Sequence, residues 1–303
     1  MPIRFDDRVA IVTGAGAGLG RSHAMLLASR GAKVVVNDPG GAVDGRGGQH
    51  AVADQVVAEI KAAGGEAVAN YDSVADEKSA QSIIDTAVNT WGRLDILVNN
   101  AGILRDKAFV NMTMEDFDFT VQVHFFGTVY CTKAAWPIMR KQQYGRVVVT
   151  TSGSGTVGNF GQSNYGAAKM GVNGFINVLR FEGAKYNILL NAISPSAHTR
   201  MTEGLLPPDM VKFMRPEFVS PAVAWLCSEE CSASGEIIAA TAGNYARVQY
   251  FQSEGVQFDP DQPVTLEMFA EKVSQIRDLS KAKPYTGLMG TVEQSLRAMG
   301  KIS

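Results

Sequence analysis

Seven short apolar runs recur along this chain of 303 residues, and the stretches between them carry helical spacing. The runs are RVAIVTG (8–14), KVVVND (33–38), EAVANYD (66–72), LDILVNN (94–100), RVVVTTS (146–152), ILLNAIS (188–194) and EIIAATAG (236–243). Several lack the in–out alternation of a half-solvated strand, which marks strands buried on both faces. The spacing between the runs predicts helices over Arg21–Ser29, Gln49–Ala62, Asp76–Thr90, Met114–Gln142, Ser163–Tyr186 and Glu217–Ser228. Gly64-Gly65 supplies a stop for the second helix, and Pro137 is expected to kink or break the fourth. Strand alternating with helix in this way predicts an α/β fold: a doubly wound parallel sheet of seven strands with helices on both faces.

Two stretches break the rhythm. Pro39–Gly48, PGGAVDGRGG, is a glycine-rich loop. The tail after Tyr245 carries one amphipathic helix, Leu266–Leu279, opened by Thr265 and Glu267, and a second is expected over Val292–Met299. Residues 1–245 therefore read as one domain. Residues 246–303 read as a C-terminal helical extension, too short to build much core alone, that packs on the same domain or across a dimer.

Composition narrows the partners. Hydrophobic residues make up 46% and charged residues 19%, an ordinary globular balance. A net charge of -2 gives no basic footprint for nucleic acid and no attraction to acidic membrane surfaces. Three cysteines, Cys131, Cys227 and Cys231, argue against a disulfide framework and for a reducing compartment. No histidine cluster accompanies them, so no metal site is expected. The N-terminus has no signal-peptide core, and no apolar run approaches a membrane span. The last residues, Gly300-Lys301-Ile302-Ser303, are not the peroxisomal Ser-Lys-Leu address. A cytoplasmic protein is expected.

TGAGAGLG, following the first apolar run, places glycine at every second position from Gly14 to Gly20. The spacing is Gly14-x-x-x-Gly18-x-Gly20, between a strand and a helix; it does not fit a strict G-x-G-x-x-G. Backbone N–H groups of such a loop, Leu19 among them, and the helix N-terminus suit a pyrophosphate. The second strand ends in Asn37-Asp38, eighteen residues beyond Gly20. A carboxylate there accepts hydrogen bonds from the adenosine ribose of a dinucleotide. It also repels the extra phosphate of NADP, with Arg21 and Arg46 as the nearby opposing cations, so NAD is the expected cofactor.

Tyr165 and Lys169 lie one helical turn apart on one face. An ammonium beside a phenol is expected to stabilise the phenolate and lower its pKa, which suits proton transfer to or from a hydroxyl. Ser152 ends the fifth strand, thirteen residues earlier, at the sheet edge where ligands bind. Together with Asn99-Asn100-Ala101-Gly102, these motifs resemble the short-chain dehydrogenase/reductase pattern over residues 5 to about 245. The resemblance implies a Rossmann-type sheet of order 3-2-1-4-5-6-7. It implies Tyr165 as general acid/base, Lys169 as ligand of the nicotinamide ribose and tuner of Tyr165, and Ser152 as orienter of the substrate oxygen. Asp72, Ser73 and Val74 would flank the adenine, Asn100, Ala101 and Gly102 line the cofactor groove, and Pro195, Ala197 and Thr199 sit near the nicotinamide. Where the family's usual catalytic asparagine falls, this chain has His124. Its imidazole can anchor a proton-relay water, or it can be a helix histidine packed beside Phe125 and Phe126.

A finer resemblance joins NDPGG, GGEAVANYDSV, NNAGILRDKAF, YGRVVVTTSGSG, GNFGQSNYGAAK, EGAKYNI and SAHTRMTE to the (3R)-hydroxyacyl-CoA dehydrogenases found within peroxisomal multifunctional enzymes and as free-standing bacterial proteins. It spans nearly the whole chain and implies an acyl-CoA substrate, histidine at position 124, a homodimer, and a C-terminal extension that helps cover the cleft. No hydratase or sterol-carrier module follows, so the dehydrogenase alone is expected. Three other readings stay open. A 3-oxoacyl-acyl-carrier-protein reductase is disfavoured by Asp38 and the tail. A hydroxysteroid dehydrogenase uses the same fold and side chains. A dinucleotide-sensing regulator typically loses the tyrosine or lysine, and both are present here.

Overall fold

The computed structural model describes residues 2–285 except 49 and 203–207, together with 287, 292, 296, 297, 299 and 300. The chain divides into two compact units, Met1–Arg247 and Val248–Ser303. The first contains β1 (Val9–Thr13), α1 (Gly18–Ser29), β2 (Lys33–Asn37), α2 (Ala51–Ala62), β3 (Glu66–Asn70), α3 (Glu77–Trp91) and β4 (Ile96–Asn99). It continues with α4 (Met114–Val121), α5 (Gly127–Gln142), β5 (Gly145–Thr150), the single turn α6 (Gly153–Thr156), α7 (Ser163–Gly183) and β6 (Ile188–Ser196). The short α8 (Pro208–Val211), α9 (Ser220–Cys227), β7 (Ile237–Thr241) and β8 (Asn244–Val248) complete it.

The sheet order is β3-β2-β1-β4-β5-β6-β7-β8. Pairing is parallel from β3 to β7; on β1, Ile11 faces Val35 of β2 on one side and Leu97 of β4 on the other. All five residues of β1 and all six of β5 are buried, as strands covered on both faces require. Each fully buried Val or Ile contributes about 1.5–3 kcal/mol relative to leaving it exposed. The strand order reverses between β1 and β4. A crevice therefore opens beyond the carboxyl ends of these two strands, the usual place for a ligand in an open α/β sheet.

The sheet has one strand more than expected. Ala242 (φ 50) and Gly243 (φ 81) form a two-residue turn in the left-handed region. So short a connection only returns the chain antiparallel, which adds β8 beside β7. No apolar run marks β8, because four of its five residues are exposed.

The long helix expected over Met114–Gln142 is interrupted, but not at Pro137. Pro137 sits inside α5, on its exposed side, where solvent replaces the lost backbone bond. The irregularity is a π-helical turn at Gln122–Phe126, between α4 and α5, and it carries His124. Single π turns inside helices often mark functional sites.

The second unit holds α10 (Leu266–Ile276) and a two-stranded antiparallel ribbon of β9 (Phe251–Gln252) and β10 (Lys283–Pro284). Thr265 caps α10 through the Met268 N–H at 3.2 Å. Half of the helix expected over Val292–Met299, residues 293–295 and 298, lies outside the described residues.

Candidate active site

The glycine loop is built by exclusion. A Cβ on Gly14 (φ 64) would stand 2.8 Å from the Ala101 Cα, and one on Gly20 would run into the Gly14 carbonyl oxygen. The loop thus lies directly on the segment after β4. Thr13 fixes the contact: its hydroxyl oxygen accepts from the Asn100 and Ala101 N–H groups, both at 3.0 Å. The Asn100 amide returns donors to the carbonyls of Thr13 (2.9 Å) and Gly14 (3.2 Å). Gly18 (φ 54) faces Thr199, whose Cγ2 lies 3.2 Å from the Cβ position. Leu19 and Gly20 open α1, and the cap residue Ala17 brings no side chain to the first-turn N–H groups. Those donors are left for a ligand.

Asp38 is buried at the end of β2, 8% exposed. One carboxylate oxygen accepts from the Gly16 N–H at 2.8 Å and the other from the Gly40 N–H at 2.7 Å. Gly16 went unnoticed in the sequence, although the every-second-glycine pattern contained the signal. Its bond ties Asp38 to the phosphate-type loop. Behind it, buried Asn37 donates to the Asn70 side chain (2.8 Å) and the Asp72 carbonyl (2.9 Å), and Asn70 donates to the Asp72 carboxylate at 2.9 Å. The Ser73 hydroxyl accepts from the Ala75 N–H at 3.2 Å. Val74 borders a small recess shared with Thr13, Asn99, Ala101, Val123, Gly127 and Thr128. On the far side Pro195 lies on β6 opposite Ala240. Ala197 and Thr199 belong to a tight turn closed by the Thr202 hydroxyl, which accepts from the Thr199 N–H at 2.8 Å and donates to the Ala197 carbonyl at 3.0 Å.

Ser152 follows β5, and its hydroxyl oxygen accepts from the Ser154 N–H at 3.1 Å. Tyr165 and Lys169 project from α7. The Lys169 Nζ, 3% exposed as a residue, donates to the Thr150 carbonyl at 2.6 Å and lies 5.5 Å from the Tyr165 ring centre. Burial pushes the lysine from 10.5 down to about 7. The tyrosine does not show the expected lowering. Burial raises it, a hydrogen bond with Ser152 pulls the other way, and the Asp106 carboxylate adds to the rise. The physical reason is that desolvation penalises both the phenolate and the ammonium. The lysine therefore titrates near neutrality instead of standing as a permanent cation.

His124 is brought to the same place. Its Nε2 lies 2.7 Å from the Ile103 carbonyl oxygen and 3.0 Å from the Ile103 nitrogen, while Nδ1 is buried with no hydrogen-bond partner among the described residues. The imidazole stands edge-on to the Tyr165 ring at 5.0 Å between centres. Gly102 has no side chain because a Cβ would collide with His124 Cε1. Burial, and then the charge of Lys169, hold the imidazole well below its ordinary 6.5, so it is neutral. A neutral imidazole carries one N–H and one lone pair, and one of its two nitrogens remains available. Among the described residues no group of three His, Cys, Asp or Glu side chains could hold a metal ion, and no helix is long and apolar enough to cross a membrane.

The short chain dehydrogenase family profile matches residues 8–207. A Mycobacterium tuberculosis protein, named only as a short-chain type dehydrogenase/reductase, is 53% identical over 91% of this chain and 96% of its own. Peroxisomal multifunctional enzyme type 2 of Drosophila melanogaster is 50% identical over 93% of this chain; the chain spans about half of that longer enzyme, 47% of its length. The solved full-length structure of that enzyme aligns with a TM-score of 0.82 at 42% identity, covering 98% of this chain and 50% of the other. A 7α-hydroxysteroid dehydrogenase solved with NADH and 7-oxo glycochenodeoxycholic acid aligns at 0.72 and 30% identity, covering 80% and 95%. With the glycine loop, the Tyr165–Lys169 pair and these likenesses together, the chain belongs to the short-chain dehydrogenase family and is an oxidoreductase acting on CH–OH groups.

Proposed function

We propose that this chain is an NAD-dependent dehydrogenase interconverting a (3R)-hydroxyacyl-CoA and its 3-oxoacyl form in fatty-acyl β-oxidation. One observation carries the reading: Ser152, Tyr165 and Lys169 meet at the carboxyl edge of the sheet, beside a glycine cradle that touches the Asp38 carboxylate. The likeness to the fly multifunctional enzyme supports the sequence resemblance from which the acyl-CoA substrate class is inferred.

The residues fit a dinucleotide. The space a Cβ would fill at Gly14 and Gly20 is closed by backbone, and the start of α1 offers uncapped N–H groups. Gly14, Gly18, Leu19 and Gly20 would hold the pyrophosphate, Asp38 the adenosine ribose, and Asp72, Ser73 and Val74 the adenine. Asn100, Ala101 and Gly102 would line the groove, Lys169 and Tyr165 hold the nicotinamide ribose, and Pro195, Ala197 and Thr199 flank the nicotinamide. NAD, when bound, supplies the hydride acceptor. Tyr165 acts as base in its phenolate form, taking the proton of the substrate hydroxyl to become the phenol, and the Ser152 hydroxyl orients the same oxygen. Lys169, in its charged form, stabilises the phenolate. His124 would anchor a proton-relay water at its free nitrogen, a role that its neutral state permits.

The tail reads as part of a homodimer. Leu266 and Phe269 of α10 are 77% and 48% exposed, an apolar stripe that a second copy would cover. The test of the substrate reading is reduction of a 3-oxoacyl-CoA with NADH, followed by resolution of the product enantiomers. The (3R) product alone is expected; a (3S) or racemic product refutes the assignment. A hydroxysteroid substrate is the second reading, favoured by the steroid dehydrogenase likeness.

A further inference from the structure

Ser152 and Tyr165 must converge on one substrate oxygen, yet they come from different elements, the end of β5 and the first turn of α7. Something must hold these elements in register to within hydrogen-bonding tolerance. The start of α7 is unusual in this respect. Its cap residue Gln162 accepts the Gly166 N–H through its carbonyl at 2.7 Å but makes no side-chain cap. The Gln162 side chain is committed elsewhere: its Nε2 donates to the Asp106 carboxylate at 2.6 Å, and its Oε1 accepts from the Ser154 hydroxyl at 2.6 Å and the Asn159 amide at 3.1 Å. A carboxylate only accepts, so Asp106 dictates which way the Gln162 amide faces. Ser154 in turn gives its own N–H to Ser152. A chain of hydrogen bonds, its last link the Ser154 backbone N–H, thus runs from Asp106 to the serine.

Asn164 makes the matching link to the tyrosine. It is 0% exposed. Its Oδ1 accepts the Tyr165 N–H at 2.8 Å, one of the helix-start donors that the cap residue leaves unserved. Its Nδ2 donates toward the Thr120 hydroxyl (3.0 Å) and the carbonyls of Arg105 (3.2 Å) and Asp116 (3.4 Å). Both links end on the same segment, Arg105-Asp106. That segment is itself anchored to α4, where the Asp116 carboxylate pairs with Arg105 at 3.3 Å and Lys107 at 2.8 Å.

We propose that Asn164 and the Asp106–Gln162 pair are positioning residues that clamp the first turn of α7 to the segment after β4 and so set Tyr165 against Ser152. The proposal rests on Tyr165 being the acid/base. Asp106 is exposed, so its replacement spares the fold, whereas Asn164 is buried and its replacement is checked by circular dichroism.

The experiment compares the full-length Asp106→Ala, Asp106→Asn, Asn164→Ala and Tyr165→Phe variants with the wild type. Turnover is measured on whichever of (3R)-3-hydroxybutyryl-CoA and a free hydroxysteroid the wild type oxidises, and NADH affinity by fluorescence titration. Asp106→Ala is expected to lower kcat about tenfold with NADH affinity unchanged, and a folded Asn164→Ala about a hundredfold. Asp106→Asn, which still presents an oxygen to Gln162, recovers most of the loss. Wild-type kcat in Asp106→Ala overturns the clamp, as does equal impairment of Asp106→Ala and Asp106→Asn, because the latter makes charge and not the hydrogen bond the cause. A fully active Tyr165→Phe instead refutes the acid/base reading beneath it.

Discussion

Removing the Lys169 amine changes how stability depends on pH, in a direction set by its burial. An ordinary lysine holds its proton to 10.5, whereas burial lets Lys169 release it at about 7. Between those values the unfolded chain binds one proton more than the folded one, so unfolding takes up a proton and stability rises with pH. The gain is absent below about pH 7 and complete above about pH 10.5. The interval is about 3.5 pH units, roughly 5 kcal/mol, with a slope approaching 1.4 kcal/mol per unit in its middle. Lys169→Met keeps the volume and loses the titration, so the wild-type minus variant difference isolates this group. Urea denaturation of the cofactor-free proteins from about pH 6.5 to 9.5 reads it directly. A difference that climbs by roughly 3 kcal/mol across that range is expected. Parallel curves refute the reasoning, and mean that the fold keeps Lys169 charged, with the Thr150 carbonyl compensating its burial.

Tyr165→Phe should lower turnover by about 10²–10⁴-fold while dinucleotide affinity holds, since the phenol moves a proton but adds little to binding; activity above about a tenth of wild type, measured by steady-state kinetics, removes the role. Asp38→Ala should narrow the preference for NAD over NADP by about tenfold, or about 1.4 kcal/mol, in the ratio of kcat/KM values. A wild type that already prefers NADP would move attention to Arg21 and Arg46. Truncation after Val248 leaves β8 whole and removes α10. Loss of affinity for long acyl-CoA substrates with NAD binding kept is expected, alongside a lower mass in light scattering. An unchanged dimer with unchanged KM at every chain length contradicts the tail's role.

Strands β1 to β7 were legible because burial writes itself as short Val, Ile and Ala runs. Asp38 was legible because a strand end places a residue as firmly as a motif does. What escaped the sequence lacks a period. β8 is mostly exposed and announces itself only by Ala242-Gly243. The π turn at Gln122–Phe126 follows from no propensity in QVHFF, and Pro137, the obvious suspect, is carried through by solvent exposure. Asp106 and Gln162 bond across 56 residues, a pairing no local pattern encodes. The Tyr165–Lys169 spacing puts the two side chains on one helix face, Nζ 5.5 Å from the ring centre, but their electrostatics depend on burial, which four residues of sequence do not report.

One steady-state matrix tests substrate and cofactor together. The wild-type protein is offered (3R)-hydroxyacyl-CoAs of several chain lengths and free hydroxysteroids, each with NAD and with NADP, and formation of the reduced nicotinamide is followed. The account predicts the highest kcat/KM for a hydroxyacyl-CoA with NAD. Turnover confined to the steroids, or a preference for NADP with every substrate, would contradict it.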